Sequence, residues 1–294
     1  MILSRKDGKE VLIVKIALIV LLTTGLFVMR IFDPAIGGKP LQQAVWSVSE
    51  NPETAMICYV GELSEGVSRP TVSVTLPQNK AGDLMAILKE LHGRFVRNGL
   101  PDEAGPLQVV LKSGEYASFF SLDDDSILAV GGENGDDRIY HLNDNAAYRL
   151  SSFCHTYTDL DGLYPGLAFL NEFFSIDKDG RWSIIEKAMF SSYSGAMEDA
   201  IEPYHVGIAP YMTESGLLNV ELGRMLYRLE LQCKTEAKDW ILGAIDIQPA
   251  SKKDAYCYTI SLSCEKDNTR LDKYYTGSYT VDENNLVDSF YVDF

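Results

Sequence analysis

The chain has 294 residues, a formal net charge of −16 and a pI of about 4.6. That excess of carboxylates argues against binding nucleic acid and against lying flat on an anionic leaflet, because both surfaces would repel it. The five cysteines, Cys58, Cys154, Cys233, Cys257 and Cys264, show no C-x-x-C spacing, and an odd count makes a poor disulfide framework. Most are expected to be buried free thiols, and Cys257 and Cys264, seven apart on one strand, to face opposite ways.

Residues 1–10 form a short tail holding Arg5, Lys6 and Lys9. The next nineteen residues, Val11 to Met29, are mostly apolar and carry one charge, Lys15. A helix rises about 1.5 Å per residue, so roughly twenty apolar residues cross a bilayer, and this run just suffices. The basic residues before it place the N-terminus in the cytoplasm and the body outside. A cleaved signal peptide is the competing reading, but Leu26-Phe27-Val28-Met29-Arg30 offers no small-residue cleavage site. The expected localisation is therefore the cell membrane, with a single pass through residues 11–29 acting as an uncleaved signal anchor.

Residues 30–44, with Pro34, Gly37, Gly38 and Pro40, read as a stalk. Residues 45–158 read as a small α+β meander. Strands are expected at 55–63 and 71–76, and a helix at 80–98, with Leu84, Ile87, Leu88, Leu91 and Phe95 at helical spacing. Asn79 would cap that helix and Gly99 would close it. Strands at 107–112, 116–122, 127–130 and 138–142 follow, then a helix near 145–153. The joins carry turn residues, among them Asp123-Asp124-Asp125, which read as solvated turn residues rather than as a cation site.

Residues 159–294 place helices first and strands last, and are expected to fold independently of the preceding segment. Leu163, Leu167, Leu170 and Phe174 mark one helix; Trp182, Ile185 and Met189 a second; Met197, Ile201, Tyr204 and Ile208 a third. A fourth starts after Thr213, with Leu218, Leu222, Met225 and Leu229 on its buried side. Four strands are expected at 240–247, 255–264, 274–281 and 286–293, with a turn at Asp282-Glu283-Asn284-Asn285. Helices followed by an antiparallel meander give an α+β unit.

Phe169-Leu170-Asn171-Glu172-Phe173-Phe174, Asp179-Gly180-Arg181-Trp182, Ile201-Glu202-Pro203-Tyr204, Tyr211-Met212-Thr213-Glu214 and Gly223-Arg224 together resemble the extracytoplasmic NTF2-like (cystatin-like cone) domains of Gram-positive bacteria. The resemblance covers residues 159–294 and implies a cone of helices on a curved antiparallel sheet with a concave face. It does not imply one activity. NTF2-like enzymes use a His or Asp in the cavity as general base, which makes His205 and Asp246 the candidates. Alternation along its strand equally allows Asp246 to face solvent.

Ser175 to Glu186 nearly fits a calcium loop but begins with Ser175 where an aspartate ligand is expected. A tight turn with Gly180 at positive φ accounts for it better. The four histidines, His92, His141, His155 and His205, have no metal-ligand spacing, and no cofactor or metal is expected. Three functional readings remain: an envelope binding, sensing or assembly protein with a protein partner and no catalysis; an envelope enzyme using the cone cavity; and, by analogy of layout, a scaffold of a conjugation or type IV secretion apparatus.

Overall fold

The computed structural model describes residues 39–40 and 52–294, apart from 62, 65–66, 100, 102–103, 115, 133–136, 162, 194, 237–238 and 267. The span expected at 11–29 and the tail before it lie outside the described residues, as does most of the stalk. Among the described residues no helix is long and apolar enough to cross a membrane.

The chain is α+β. In order it forms β1 (Lys39–Pro40), β2 (Thr54–Tyr59), β3 (Leu63–Ser64), β4 (Val67–Ser68), β5 (Thr71–Thr75), α1 (Gln78–Lys89) and β6 (His92–Asn98). Four further strands, β7 (Leu107–Ser113), β8 (Tyr116–Leu122), β9 (Ile127–Gly132) and β10 (Arg138–Leu142), lead to α2 (Asp144–Thr158). Five helices follow: α3 (Leu167–Phe173), α4 (Arg181–Met189), α5 (Ala196–Ile208), α6 (Glu214–Leu222) and α7 (Met225–Glu236). The chain ends in β11 (Ile241–Pro249), β12 (Ala255–Lys266), β13 (Thr269–Val281) and β14 (Val287–Asp293).

The expected helix over 80–98 is corrected. It spans Gln78–Lys89, starts from Pro77 rather than from Asn79, and has no side-chain cap. Residues 92–98 turn back as β6, which pairs with β10 from Gly93↔Leu142 to Asn98↔Arg138. The apolar spacing that suggested a longer helix is shared by two elements. Leu84, Leu88 and Leu91 are buried, whereas Phe95 is half exposed and packs edge-on against Tyr140 at 5.9 Å. Gly99, at φ +96°, closes the strand instead of a helix.

Among the described residues one twelve-stranded sheet, ordered β1-β6-β10-β9-β8-β7-β2-β5-β11-β12-β13-β14, contains every strand but the β3–β4 hairpin. All its pairings are antiparallel except β5–β11, which is parallel from Thr71↔Ala244 to Val74↔Ile247. The boundary expected at 158/159 falls at the end of α2, and the sheet runs across it through that one parallel seam. Alternation is continuous there: Ile57, Val74 and Ile247 share a row and are fully buried, as are Val72 and Ile245 in the next. One contiguous core follows, covering both halves.

The second half owes its interior to aromatic side chains. Phe290 sits between Phe169 and Phe173, each 4.8 Å away between ring centroids, and stacks on Tyr258 at 5.6 Å. Phe174 closes on Tyr258 and Tyr275. Two of the buried hydroxyls find carbonyl acceptors: Tyr279 donates to Pro165 at 2.8 Å and Tyr258 to Tyr291 at 2.9 Å. Gly166 makes the first of these contacts possible. It holds φ +78°, and a Cβ there would lie 2.4 Å from the Tyr279 ring. Gly166→Ala should therefore destabilise by about 2–4 kcal/mol, combining left-handed strain with overpacking, measured by urea unfolding.

The single long helix expected after Thr213 is also corrected. Thr213 caps as expected, accepting from Gly216 N–H at 3.0 Å, but α6 ends at Leu222 and α7 starts at Met225. Arg224 between them has φ +49°. α6 packs on the edge of β14 through small residues: Gly216 lies so close that a Cβ would meet the Val287 carbonyl at 2.4 Å, and Val220 is fully buried. This rotation turns Leu218 and Leu222, expected in the core, out to solvent.

Candidate functional site

Asp246 and His205 fall in different places. Asp246 lies on β11 between the fully buried Ile245 and Ile247, so its side chain points to the face without helices. There it stands in a row with Cys58, Ser73, Thr259, Thr276 and Asp293, all half-buried or exposed. It accepts a hydrogen bond from Gln248 Nε2 at 3.1 Å. Its charge joins partial burial in raising the pKa of the Cys58 thiol. The helix-covered side, where a cone cavity would sit, holds the aromatic cluster around Phe290 instead.

His205 lies on α5 and borders a groove of about 520 Å³ between α5 and the α6–α7 turn. Met197, Ile201 and His205 line one wall at i, i+4 spacing; Leu222, Leu226 and Tyr227 line the other. Glu198, Glu202 and Glu221 stand around it with Arg224. His205 Nδ1 is 3.3 Å from Glu221 Oε1. Burial lowers the imidazole pKa, and outweighs Glu221 and Glu202, which would raise it. The ring is therefore neutral at pH 7, and the contact with Glu221 is not an ion pair there. Among the described residues, Arg224 is the one left-handed non-glycine residue that is neither Ser, Asp nor Asn. It has no short polar side chain to relieve the roughly 1–2 kcal/mol such a conformation costs.

A charged cluster behind this groove went unread in the sequence. Arg181 of α4, Tyr204 of α5 and Glu230 of α7 are 8%, 2% and 2% exposed. The guanidinium lies over the Tyr204 ring, 4.2 Å from its centroid, and donates to the Ser175 carbonyl. Glu230 Oε1 accepts from Asp177 N–H at 2.9 Å. Burial raises the Glu230 pKa against the lowering effects of that hydrogen bond, Arg181 and Lys234. Burial, then the Glu230 charge, pushes the Tyr204 hydroxyl far above its ordinary value.

This cluster explains the calcium-like stretch. Asp177 Oδ1 accepts from Trp182 N–H at 2.8 Å, and Oδ2 accepts from the Lys234 ammonium at 2.6 Å. The loop's own cation is a lysine, its side chain 6% exposed. Asp177, Asp179 and Gly180 all hold positive φ, so the turn is tighter than one glycine would make it. Among the described residues no group of three or more His, Cys, Asp or Glu side chains could hold a metal ion.

The remaining candidates disperse. Cys154 is buried and its thiol is pushed up to about 12, while its neighbour His155 is exposed and lies 5.9 Å from the Tyr59 ring. All five cysteines are free; Cys154, Cys233 and Cys264 are buried, Cys58 is half-buried and Cys257 is exposed. On β12, Cys257 exposed and Cys264 buried agree with the opposite facing expected from their odd spacing. Asp123 caps its own turn, accepting from Ile127 N–H at 2.7 Å. No protein-family model, curated protein or solved structure matches this chain.

Proposed function

We propose that this chain is a membrane-anchored extracytoplasmic binding or assembly protein without a catalytic centre. Its C-terminal half is read as an NTF2-like cone, and residues 11–29 as the span. The observation that carries the reading is the filled interior. Phe169, Phe173, Phe174, Tyr258, Tyr275 and Phe290 occupy the space between helices and sheet where an enzyme of this kind would keep its cavity. The two candidate bases stand on different surfaces and do not share a site. Arg5, Lys6 and Lys9 ahead of the apolar run, against Arg30 and Lys39 after it, support the orientation.

The enzyme reading keeps one favourable observation, a neutral His205 beside Glu221 in an open groove. His205→Asn and Asp246→Asn separate the two readings. Each variant should retain phenotype within a few-fold of wild type when expressed at equal levels. Loss of a general base typically costs about 10²–10⁴-fold in rate, and a loss of that size with unchanged melting establishes the enzyme reading instead.

A further inference from the structure

The strongest unexplained feature is a run of apolar side chains turned away from the core. Leu218 and Leu222, one helical turn apart on α6, are 51% and 78% exposed. Their spacing is that of a buried stripe, yet no described residue of the chain covers them. Leu222 borders the groove with Leu226 and Tyr227, and Met197 and Ile201 repeat the spacing on α5, across it. On α5 the groove is lined from Met197 to His205, so that wall runs for about 12 Å, enough to seat about two turns of a helix. Around this apolar floor stand three carboxylates, Glu198, Glu202 and Glu221, against one guanidinium, Arg224. The whole chain adds its charge of −16 to the same sign.

We propose that the groove between α5 and the α6–α7 turn docks a basic amphipathic helix of a partner protein. Its apolar face meets Met197, Ile201 and Leu222, and its Lys or Arg side chains meet Glu198, Glu202 and Glu221. The proposal rests on the binding reading above and names the chemistry of its partner. Helix-in-groove recognition needs anchors at i, i+3 or i+4 in the ligand and a matching apolar trough; the α5 wall supplies that period through Met197 and Ile201, and Leu222 faces it from the end of α6. The acidic rim speeds encounter and sets orientation, while the apolar floor holds the complex. A second copy of this chain is a poor occupant, because the rim would meet its own sign. A flat anionic bilayer is repelled for the same reason.

The full chain in phosphatidylcholine nanodiscs, with empty nanodiscs as blank, tests this against a fluorescent peptide of about 18 residues, five turns, with leucine on one face and lysine on the other. Bulk attraction to an acidic protein must be separated from docking, and Leu222→Asp does so. It makes the chain more acidic, so bulk attraction predicts tighter binding, whereas a lost apolar anchor predicts about tenfold weaker binding. Glu198→Lys with Glu202→Lys should weaken binding by at least about tenfold. A scrambled peptide of the same composition, with no apolar face, should bind about tenfold less well than the ordered one. All three positions are exposed, so the variants should melt with wild type. Unchanged or tighter binding by Leu222→Asp, or equal binding of the two peptides, overturns the proposal. Either result leaves the noncatalytic reading to its own test with His205→Asn and Asp246→Asn.

Discussion

A fragment of residues 159–294 should fail to fold cooperatively, although its own strands and helices make up half the molecule. The reason is the parallel seam. β11 is an interior strand only because β5 pairs with it from Thr71↔Ala244 to Val74↔Ile247. Removing residues 1–158 exposes four ladder positions and uncovers Ile245 and Ile247, both fully buried. It also removes Tyr157, whose ring packs 5.7 Å from that of Tyr164, itself edge-on to Tyr256. The fragment should bind a hydrophobic dye, lose near-ultraviolet dichroism or self-associate along β11. The body with both halves should melt in one transition. A fragment that melts sharply within a few degrees of the whole would show that the seam joins two independent units.

Arg181→Leu should be the most damaging single substitution outside the aromatic core, costing about 3–5 kcal/mol. The change removes a guanidinium stacked on Tyr204 and a donor to the Ser175 carbonyl, and leaves Glu230 and Asp177 with Lys234 as their nearest cation. Removing one partner of a buried charge group leaves the other uncompensated, which costs more than the group contributed. Glu230→Gln is the informative control. Burial raises the folded-state pKa of Glu230 above its unfolded value, so its ionisation opposes folding. That penalty is absent below the ordinary carboxylate pKa and grows as pH rises through it toward the folded value. Glu230→Gln should thus flatten this part of the pH–stability profile while Arg181→Leu lowers the whole curve. Equal urea midpoints for Arg181→Leu and wild type would place the guanidinium outside the energetics of this fold.

The strands with clean alternation and bounded turns were legible from sequence. β7, β8 and β14 fall within a residue or two of their expected limits, because each is bounded by turn residues, and β7 adds period-two burial. Two errors have a common cause. An apolar stripe at helical spacing cannot say whether one helix carries it. Phe95 belongs to a strand beyond Leu91, and Leu222 belongs to a helix whose core face is set by Gly216 and Val220. The contact that rotates α6, Gly216 against the β14 backbone, is a tertiary fact with no local signal. The β5–β11 seam is equally silent, because its partners are some 170 residues apart. Arg181 entered the sequence reading only as part of a turn motif, and Glu230 and Lys234 did not enter it. A buried ion cluster announces itself in sequence only by a charge on an apolar face, and Glu230 beside Leu229 was such a charge.

The sharpest test of a docking rather than catalytic role is complementation of cells lacking the protein with two pairs of alleles at matched expression. Leu222→Asp combined with Glu202→Lys should abolish function, since they remove an apolar anchor and an acidic rim residue from the same groove. His205→Asn combined with Asp246→Asn should restore function to within a few-fold of wild type. The reverse pattern, a functional groove variant and a dead His205→Asn, Asp246→Asn variant with unaltered melting, would contradict the account and place chemistry at those two residues.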